Sequence, residues 1–248
     1  MTFESTKLLN KRILITGGTA GLGAHLAIEV AKCGGIPIVL GRDQEKLNAL
    51  VSQFGNLQLA PPLHHLFDLT ESDQMIAFVD QIAEIDGLIL SAGVNDKTTV
   101  KFISSKKIDK IFGINFTAQV QLIQQLIKKK KFNKGASVLG ISSLSAGYTS
   151  ATNSLYGASK SALEQFLKTL AIEHAPELRV NVIRPGLLNS KMSKAYDFAE
   201  NLDAFVNQVP MKRMGEFSDV HPVALMLLSD DASWITGAII PIDGGMSI

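Results

Sequence analysis

The chain has 248 residues, and its 24 basic against 23 acidic side chains leave a net charge of +1, which gives no reason to expect nucleic acid or an anionic membrane as a partner. A hydrophobic share of 46% is enough for one substantial core, and the lone cysteine, Cys33, excludes an intrachain disulfide. The opening "MTFESTKLLNKR" lacks the apolar stretch of a secretory signal, and no apolar run nears the roughly 18 residues of a bilayer span, so a cytoplasmic protein with no membrane partner is expected.

The first apolar run is "RILIT" at 12–16, and it leads into the glycine-rich "TGGTAGLG" at 16–23. A helical pattern follows over 23–33, then the run "IPIVL" at 36–40, a helix over 44–54 and the run "LHHLF" at 63–67. Thr70 with Asp73 predicts the cap of a helix over 73–82. Next come "GLILS" at 87–91 and a segment over 106–129 that reads as one long helix. "ASVLGIS" at 136–142, a helix over 156–174 and "RVNVIR" at 179–184 continue the alternation. The stretch 187–215 interrupts it. This stretch is polar and follows a strand's carboxyl end, where open α/β sheets bind ligands, so it is predicted to be a substrate lid. A helix over 219–228 and the run "AIIPI" at 238–242 complete the pattern. Several runs are β-branched and apolar on both faces, as parallel strands covered by helices on both sides must be. The prediction is a single α/β domain over 1–248, a doubly wound parallel sheet of about seven strands with helices on both faces.

The glycines at 17, 21 and 23 stand between a predicted strand and a predicted helix. Glycine permits positive φ and close approach of the backbone, and a helix N-terminus offers free N–H groups and partial positive charge to a pyrophosphate. The spacing is Gly-x-x-x-Gly-x-Gly rather than Gly-x-Gly-x-x-Gly, and no Gly-Lys-Ser/Thr follows to make a P-loop. At the first strand-to-helix junction of such a sheet the loop points to a dinucleotide, against a plain glycine turn.

In "SLYGASKSALEQF" Tyr156 precedes Lys160 by four residues, so a phenol and an ammonium share one helix face. A free phenol has a pKa of about 10 and is a slow proton donor at neutral pH, and a neighbouring ammonium is expected to lower that value. On this pentapeptide alone, an ordinary surface pair would be the better reading.

Six stretches occur in order: "TGGTAGLG", "SAG" (91–93), "ISS" (141–143), "YGASK" (156–160), "RPG" (184–186) and "ITGAIIPIDGG" (235–245). Together they resemble the classical branch of the short-chain dehydrogenase/reductase family over essentially the whole chain. The resemblance implies a single Rossmann-type domain, a nicotinamide cofactor and interconversion of a carbonyl and an alcohol. It implies catalytic roles for four residues: Tyr156 as acid/base, Lys160 as its tuner and ribose contact, Ser143 as ligand of the substrate oxygen, and Asn115 as support for a water linked to the lysine. The alternative for Asn115 is an ordinary partner for a buried backbone group. Cofactor contacts are implied for Gly17, Thr19, Gly21, Leu22 and Gly23, for Arg42, Asp68 and Leu69, for Ala92 and Gly93, for Tyr156 and Lys160, and for Pro185, Gly186, Leu188 and Ser190. Asp68 would meet the adenine, or else cap a helix. Ser190 stands where a threonine is commoner and keeps the hydroxyl. Ser91 departs from the family's asparagine, which braces the central strands.

The second strand ends "IVLGRDQEK". Gly41 stands where members that prefer NAD carry a carboxylate, so repulsion of a 2′-phosphate is absent and space is expected there. The Arg42 guanidinium can hold a phosphate by two parallel hydrogen bonds, unless it pairs with Asp43 or Glu45. NADP(H) is therefore the expected cofactor, with NAD(H) the alternative.

The expected activity is reduction of a carbonyl, with a 3-oxoacyl-carrier-protein reductase suggested by "MKRMGEFSDV" and the last motif. An acyl-thioester or other small-molecule carbonyl would be the substrate. The rivals are an alcohol, sugar or steroid dehydrogenase working oxidatively, and a catalytically idle cofactor sensor or scaffold. The family implies a homotetramer or homodimer. The "KKKK" run at 128–131 reads as a solvated helix end, Met211, Met214 and Met226 as core or lid packing, and Trp234 as structural. The five histidines show no metal-ligand spacing with cysteine or carboxylate, so no metal is expected.

Overall fold

The computed structural model describes residues 7–148, 150–190, 193 and 206–248. Its sheet has seven strands, all parallel: β1 (Arg12–Thr16), β2 (Ile36–Gly41), β3 (Leu63–Leu66), β4 (Ile85–Leu90), β5 (Phe132–Ile141), β6 (Leu178–Pro185) and β7 (Ile239–Ile242). The order across the sheet is β3-β2-β1-β4-β5-β6-β7, so the direction of winding reverses between β1 and β4. Each apolar run of the sequence is one of these strands. The longest extension beyond a run is at β5, which starts at Phe132.

Alternation along the strands sends side chains to two cores. Leu14, Ile38, Leu88 and Val138 point to one face, where they meet α3 (Ser72–Gln81), α5 (Ala118–Lys128) and α6 (Ser154–His174). Ile13, Ile15, Val39 and Ile89 point to the other, where they meet α1 (Gly21–Lys32), α2 (Gln44–Asn56) and α7 (Phe217–Leu228). Burial of large apolar side chains, each contributing about 1.5–3 kcal/mol, holds the three layers together. No described helix is long and apolar enough to cross a membrane.

Four local expectations are corrected. The segment 106–129 is not one helix: α4 (Ser105–Phe112) ends in a π-turn over Gly113–Thr117 before α5 begins. Thr70 is not a cap, because α3 follows Glu71, which makes no side-chain cap bond; instead Asp68 Oδ1 accepts from the Thr70 N–H and hydroxyl at 3.0 and 2.7 Å. Trp234 is 98% exposed and packs into neither core. The lysine run does end α5, but it is not only solvated: Lys131 donates to the Ile82 carbonyl at 2.7 Å and Lys129 meets Asp80, both at the end of α3. About half of the stretch predicted to be a lid, residues 191–192 and 194–205, lies outside the described residues. Its two ends meet in an isolated parallel bridge between Leu188 and Gly215.

Candidate functional site

The functional candidates collect at the carboxyl ends of the strands, on both sides of the reversal between β1 and β4. After β1 the chain turns through Gly17 into α1. Gly17 has φ +63°, and a Cβ there would lie 2.9 Å from Ala92 Cα. A Cβ on Gly23 would lie 2.4 Å from the Gly17 carbonyl oxygen. Only glycine lets the loop, the helix start and the β4 end approach this closely. No side chain caps the start of α1, and its first turn holds no acidic residue. Two other helices do have caps, with Asp43 accepting from the Lys46 N–H at α2 and Glu216 and Asp219 forming a reciprocal box at α7, whereas α6 begins without a side-chain cap, as α1 does. An uncapped N-terminus beside a glycine loop fits a pyrophosphate. Gly21 and Leu22 open this helix, and Thr19 packs beside Gly41.

Arg42 leaves the end of β2 and reaches Asp68, beyond β3, rather than Asp43 or Glu45. Arg42 Nη1 donates to Asp68 Oδ2 at 2.8 Å. Hydrogen bonds from Thr70 and then Arg42 bring Asp68 below the usual carboxylate range, outweighing its burial. Asp43 is engaged elsewhere, capping α2 and pairing with Lys46. Leu69 packs against the core beneath this pair. The space expected at Gly41 is filled: a Cβ there would lie 2.5 Å from Thr19 Cγ2 and 2.6 Å from Thr19 Oγ1.

The turn after β4 carries Ser91, Ala92 and Gly93. Two buried residues from other elements brace it. Thr16 Oγ1 accepts from the Ala92 N–H at 3.0 Å and is 3.2 Å from Gln119 Oε1, while Gln119 Nε2 donates to the Ala92 carbonyl at 3.0 Å. Thr16 and Gln119 thus hold the turn in which Ser91 stands in place of the family's asparagine.

Asn115 sits in the π-turn and is wholly buried. Its Oδ1 accepts from the Val94 N–H at 2.8 Å, and its Nδ2 donates to the Val94 carbonyl at 2.9 Å and to Ser159 Oγ at 3.0 Å. Ser159 in turn donates to the Tyr156 carbonyl. Asn115 therefore serves the backbone, as its ordinary alternative proposed, and also ties the β4 turn to α6. The extra residue of a π-turn aims the amide inward, a recurrent feature of functional sites.

Ser143 stands beyond the end of β5, its Oγ accepting from the Ser145 N–H at 3.2 Å. Gly157 lets α6 lie against this turn, since a Cβ there would meet the Ser145 carbonyl at 2.5 Å. Burial raises the Tyr156 phenol above its ordinary value, and the neighbouring Ser143 hydroxyl opposes this without cancelling it. The expected lowering by Lys160 is not met: its Nζ is 5.9 Å from the Tyr156 ring centre, and desolvation of the phenolate prevails. Lys160 is itself buried and donates to the Ile141 carbonyl at 2.8 Å. Burial pushes it down to about 8, with Glu164 one turn further on acting to raise it. A Cβ on Gly93 would lie 3.3 Å from Lys160 Nζ and 3.4 Å from Asn115 Oδ1, so these three residues converge.

At the end of β6, Pro185 and Gly186 run against the C-terminal turn, with a Cβ on Gly186 only 2.8 Å from Asp243 Cα. Leu188 and Gly186 line a cavity of ≈ 280 Å³ whose apolar wall includes Leu144, Val209, Met211 and Met246. Ser190 lies nearby in sequence and is occupied with Ser193, whose N–H donates to Ser190 Oγ at 3.1 Å. Met226 packs against the α1–α2–α7 core.

Several residues here escaped the sequence reading. The buried Glu164 accepts from Ser142 Oγ at 2.6 Å and from Arg184 Nε and Nη2 at 2.7 and 2.6 Å. Asn153 accepts from Asn95 Nδ2 at 3.0 Å and donates to Ser145 Oγ at 2.8 Å. Asn95 Oδ1 is the one buried side-chain polar atom without a partner among the described residues. The four-residue step from Lys160 to Glu164 was the available signal for the first group; nothing local marks the second.

Residues 17–247 match the family model described as "Enoyl-(Acyl carrier protein) reductase". The 3-oxoacyl-(acyl-carrier-protein) reductase of Rickettsia felis is 30% identical over 240 residues, 96% of this chain and 98% of the relative. The L-xylulose reductase of Caenorhabditis elegans is 29% identical over 243 residues, 96% of each chain. Among solved structures, "Short-chain dehydrogenase/reductase SDR:Glucose/ribitol dehydrogenase" from Brucella melitensis superposes with a TM-score of 0.90 at 25% identity, covering 100% of both chains.

Proposed function

The chain belongs to the short-chain dehydrogenase/reductase family of NAD(P)-dependent enzymes that act on CH–OH and C=O groups, and from that premise we propose that it is an NADP(H)-dependent carbonyl reductase. The observation that carries this reading is the meeting of Ser143, Tyr156, Lys160 and Asn115 beside Gly93 at the end of the central strands. The nicotinamide supplies hydride when bound. Ser143 Oγ holds the substrate oxygen, and the Tyr156 O–H gives it a proton as charge develops. Burial keeps Tyr156 protonated at neutral pH, which is the form reduction needs at the outset. Lys160 holds the ribose and supplies positive charge near the phenol, and Asn115 keeps the Gly93 turn and α6 in register. The glycine loop and the start of α1 take the pyrophosphate, Asp68 and Leu69 border the adenine, Arg42 takes the 2′-phosphate, and the turn through Pro185, Gly186, Leu188 and Ser190 borders the nicotinamide.

A 3-oxoacyl thioester is the leading substrate, supported by the apolar cavity wall and by similarity to a 3-oxoacyl reductase. The stretch 187–215 acts as its lid over a single domain. A polyol or keto sugar is the second reading. The Asn95–Asn153–Ser145 chain, with a buried acceptor still open, suits a substrate rich in hydroxyls, as the similarity to a xylulose reductase does. An idle scaffold has no use for the assembled set. The test is turnover of acetoacetyl thioesters, diketones and keto sugars with NADPH and NADH. Rapid NADPH-dependent reduction of the thioester supports the first reading, preference for keto sugars supports the second, and cofactor binding without turnover of any member defeats both.

The protein assembles as a homodimer or homotetramer. Val100, Phe102, Ile172 and Trp234 are large apolar side chains left on the surface, and a partner copy would cover them.

A further inference from the structure

Away from the strand ends, α1 and α7 lie side by side on one face of the sheet, and three ligating side chains meet between them. His25 and Glu29 are four residues apart on α1 and so share a face. His221 comes from α7. His25 Nε2 is 2.9 Å from His221 Nδ1, and the ring centres are 5.1 Å apart. One ligand atom from each of the three residues lies within 4.8 Å of the other two. All three are half-buried, and the Glu29 side chain is only 14% exposed. Lys32 engages Glu29 Oε1 at 2.8 Å, and the Phe217 ring walls the group at 5.6 Å from His25. No step assigned to the active site uses any of these residues.

We propose that His25 Nε2, His221 Nδ1 and a Glu29 carboxylate oxygen form a binding site for a divalent transition cation of the zinc type. Two imidazole nitrogens that face one another at hydrogen-bond distance share one proton, and a cation that takes its place is ligated by both lone pairs. Two imidazoles and one carboxylate are a ligand set that zinc takes in sites with one open position, whereas magnesium and calcium favour all-oxygen shells. Metal–ligand bonds of about 2.0–2.2 Å in a tetrahedron place the two nitrogens roughly 3.3 Å apart, so the rings need open by only a few tenths of an ångström. The two histidines lie 196 positions apart in the chain, which hides their pairing from any spacing rule. Because α1 starts at the glycine loop, a cation here clamps the cofactor-binding helix to α7.

The test uses the full-length protein freed of metal by a chelator and titrated with zinc or cobalt(II). Wild type should bind one equivalent of zinc per chain at micromolar concentration, show the visible absorption of tetrahedral cobalt, and melt about 5–10 °C higher at a hundredfold excess over Kd. Magnesium should do none of this. His25→Ala and His221→Ala should each weaken zinc binding by at least about tenfold, since even outer partners of a metal contribute that much. Folding of each variant is checked by circular dichroism and by NADPH binding. If a histidine variant fails to fold, the near-isosteric Glu29→Gln decides: weaker binding and an altered cobalt spectrum support the site. Wild type that ignores micromolar zinc, or variants that bind it like wild type, would overturn the proposal.

Discussion

Glu164 and Arg184 are joined by two hydrogen bonds of 2.7 and 2.6 Å that tie α6 to β6 directly behind the proposed catalytic residues. The same carboxylate accepts from Ser142, the neighbour of Ser143, and lies one turn from Lys160. One buried acid therefore positions the strand end that presents Ser143 and favours the charged form of Lys160.

This gives a pH prediction. The folded value of Lys160, about 8, lies below the roughly 10.4 of an unfolded lysine. The buried ammonium thus destabilises the fold fully below pH 8, and that cost is relieved as pH rises between the two values. If the ammonium holds the ribose, kcat/KM for NADPH should decline as pH rises through about 8. Glu164→Gln should move that decline to lower pH, while a purely structural role would leave its position unchanged. Glu164→Leu should also cost about 2 kcal/mol in urea unfolding, below the 3–5 typical of a broken buried pair because Arg184 is partly exposed.

Tyr156→Phe should lower kcat by about 10²–10⁴-fold and leave the Kd of NADPH nearly unchanged. Stopped-flow turnover and fluorescence titration measure the two separately. Retention of near-normal turnover on the true substrate would remove Tyr156 from the acid/base role. Lys160→Ala should weaken both binding and rate.

Cofactor choice can be tested at Arg42. The Kd of NADPH should rise about tenfold in Arg42→Ala, the low end for a charged hydrogen bond because the side chain is 63% exposed, and that of NADH should not change. Equal losses would end the assignment. Gly41→Asp, the obvious change toward NADH, should by itself destabilise the protein because its Cβ collides with Thr19. Paired with Thr19→Gly, it should favour NADH.

Assembly is read from light scattering at micromolar concentration. Wild type should run as a dimer or tetramer, and an Ile172→Glu or Trp234→Glu change should shift the mass toward monomer. A wild-type monomer would refute the assembly.

The seven strands were legible because a run such as "RILIT" or "IPIVL" must be apolar on both faces in a parallel sheet. The catalytic tyrosine, lysine and serine candidates were legible from ordered motifs. The break at Asn115 was not, since helical periodicity resumes on both sides of the π-turn and one extra residue barely disturbs it. Arg42 was read against its neighbours Asp43 and Glu45, but it pairs with Asp68, 26 positions on. The phenol's direction was misjudged for the same reason: spacing puts the ammonium nearby, whereas burial, a property of the whole fold, sets the sign. Trp234 shows the converse, a residue whose chemistry suggests the interior and whose surroundings leave it in solvent.

The brace of the β4 turn puts the control of that turn elsewhere in the fold. With Thr16 and Gln119 holding the Ala92 amide and carbonyl, an asparagine at position 91 is redundant. The turn's geometry therefore hangs on two side chains from β1 and α5 rather than on its own residue, so a change at Gln119 would reach the β4 end without touching it.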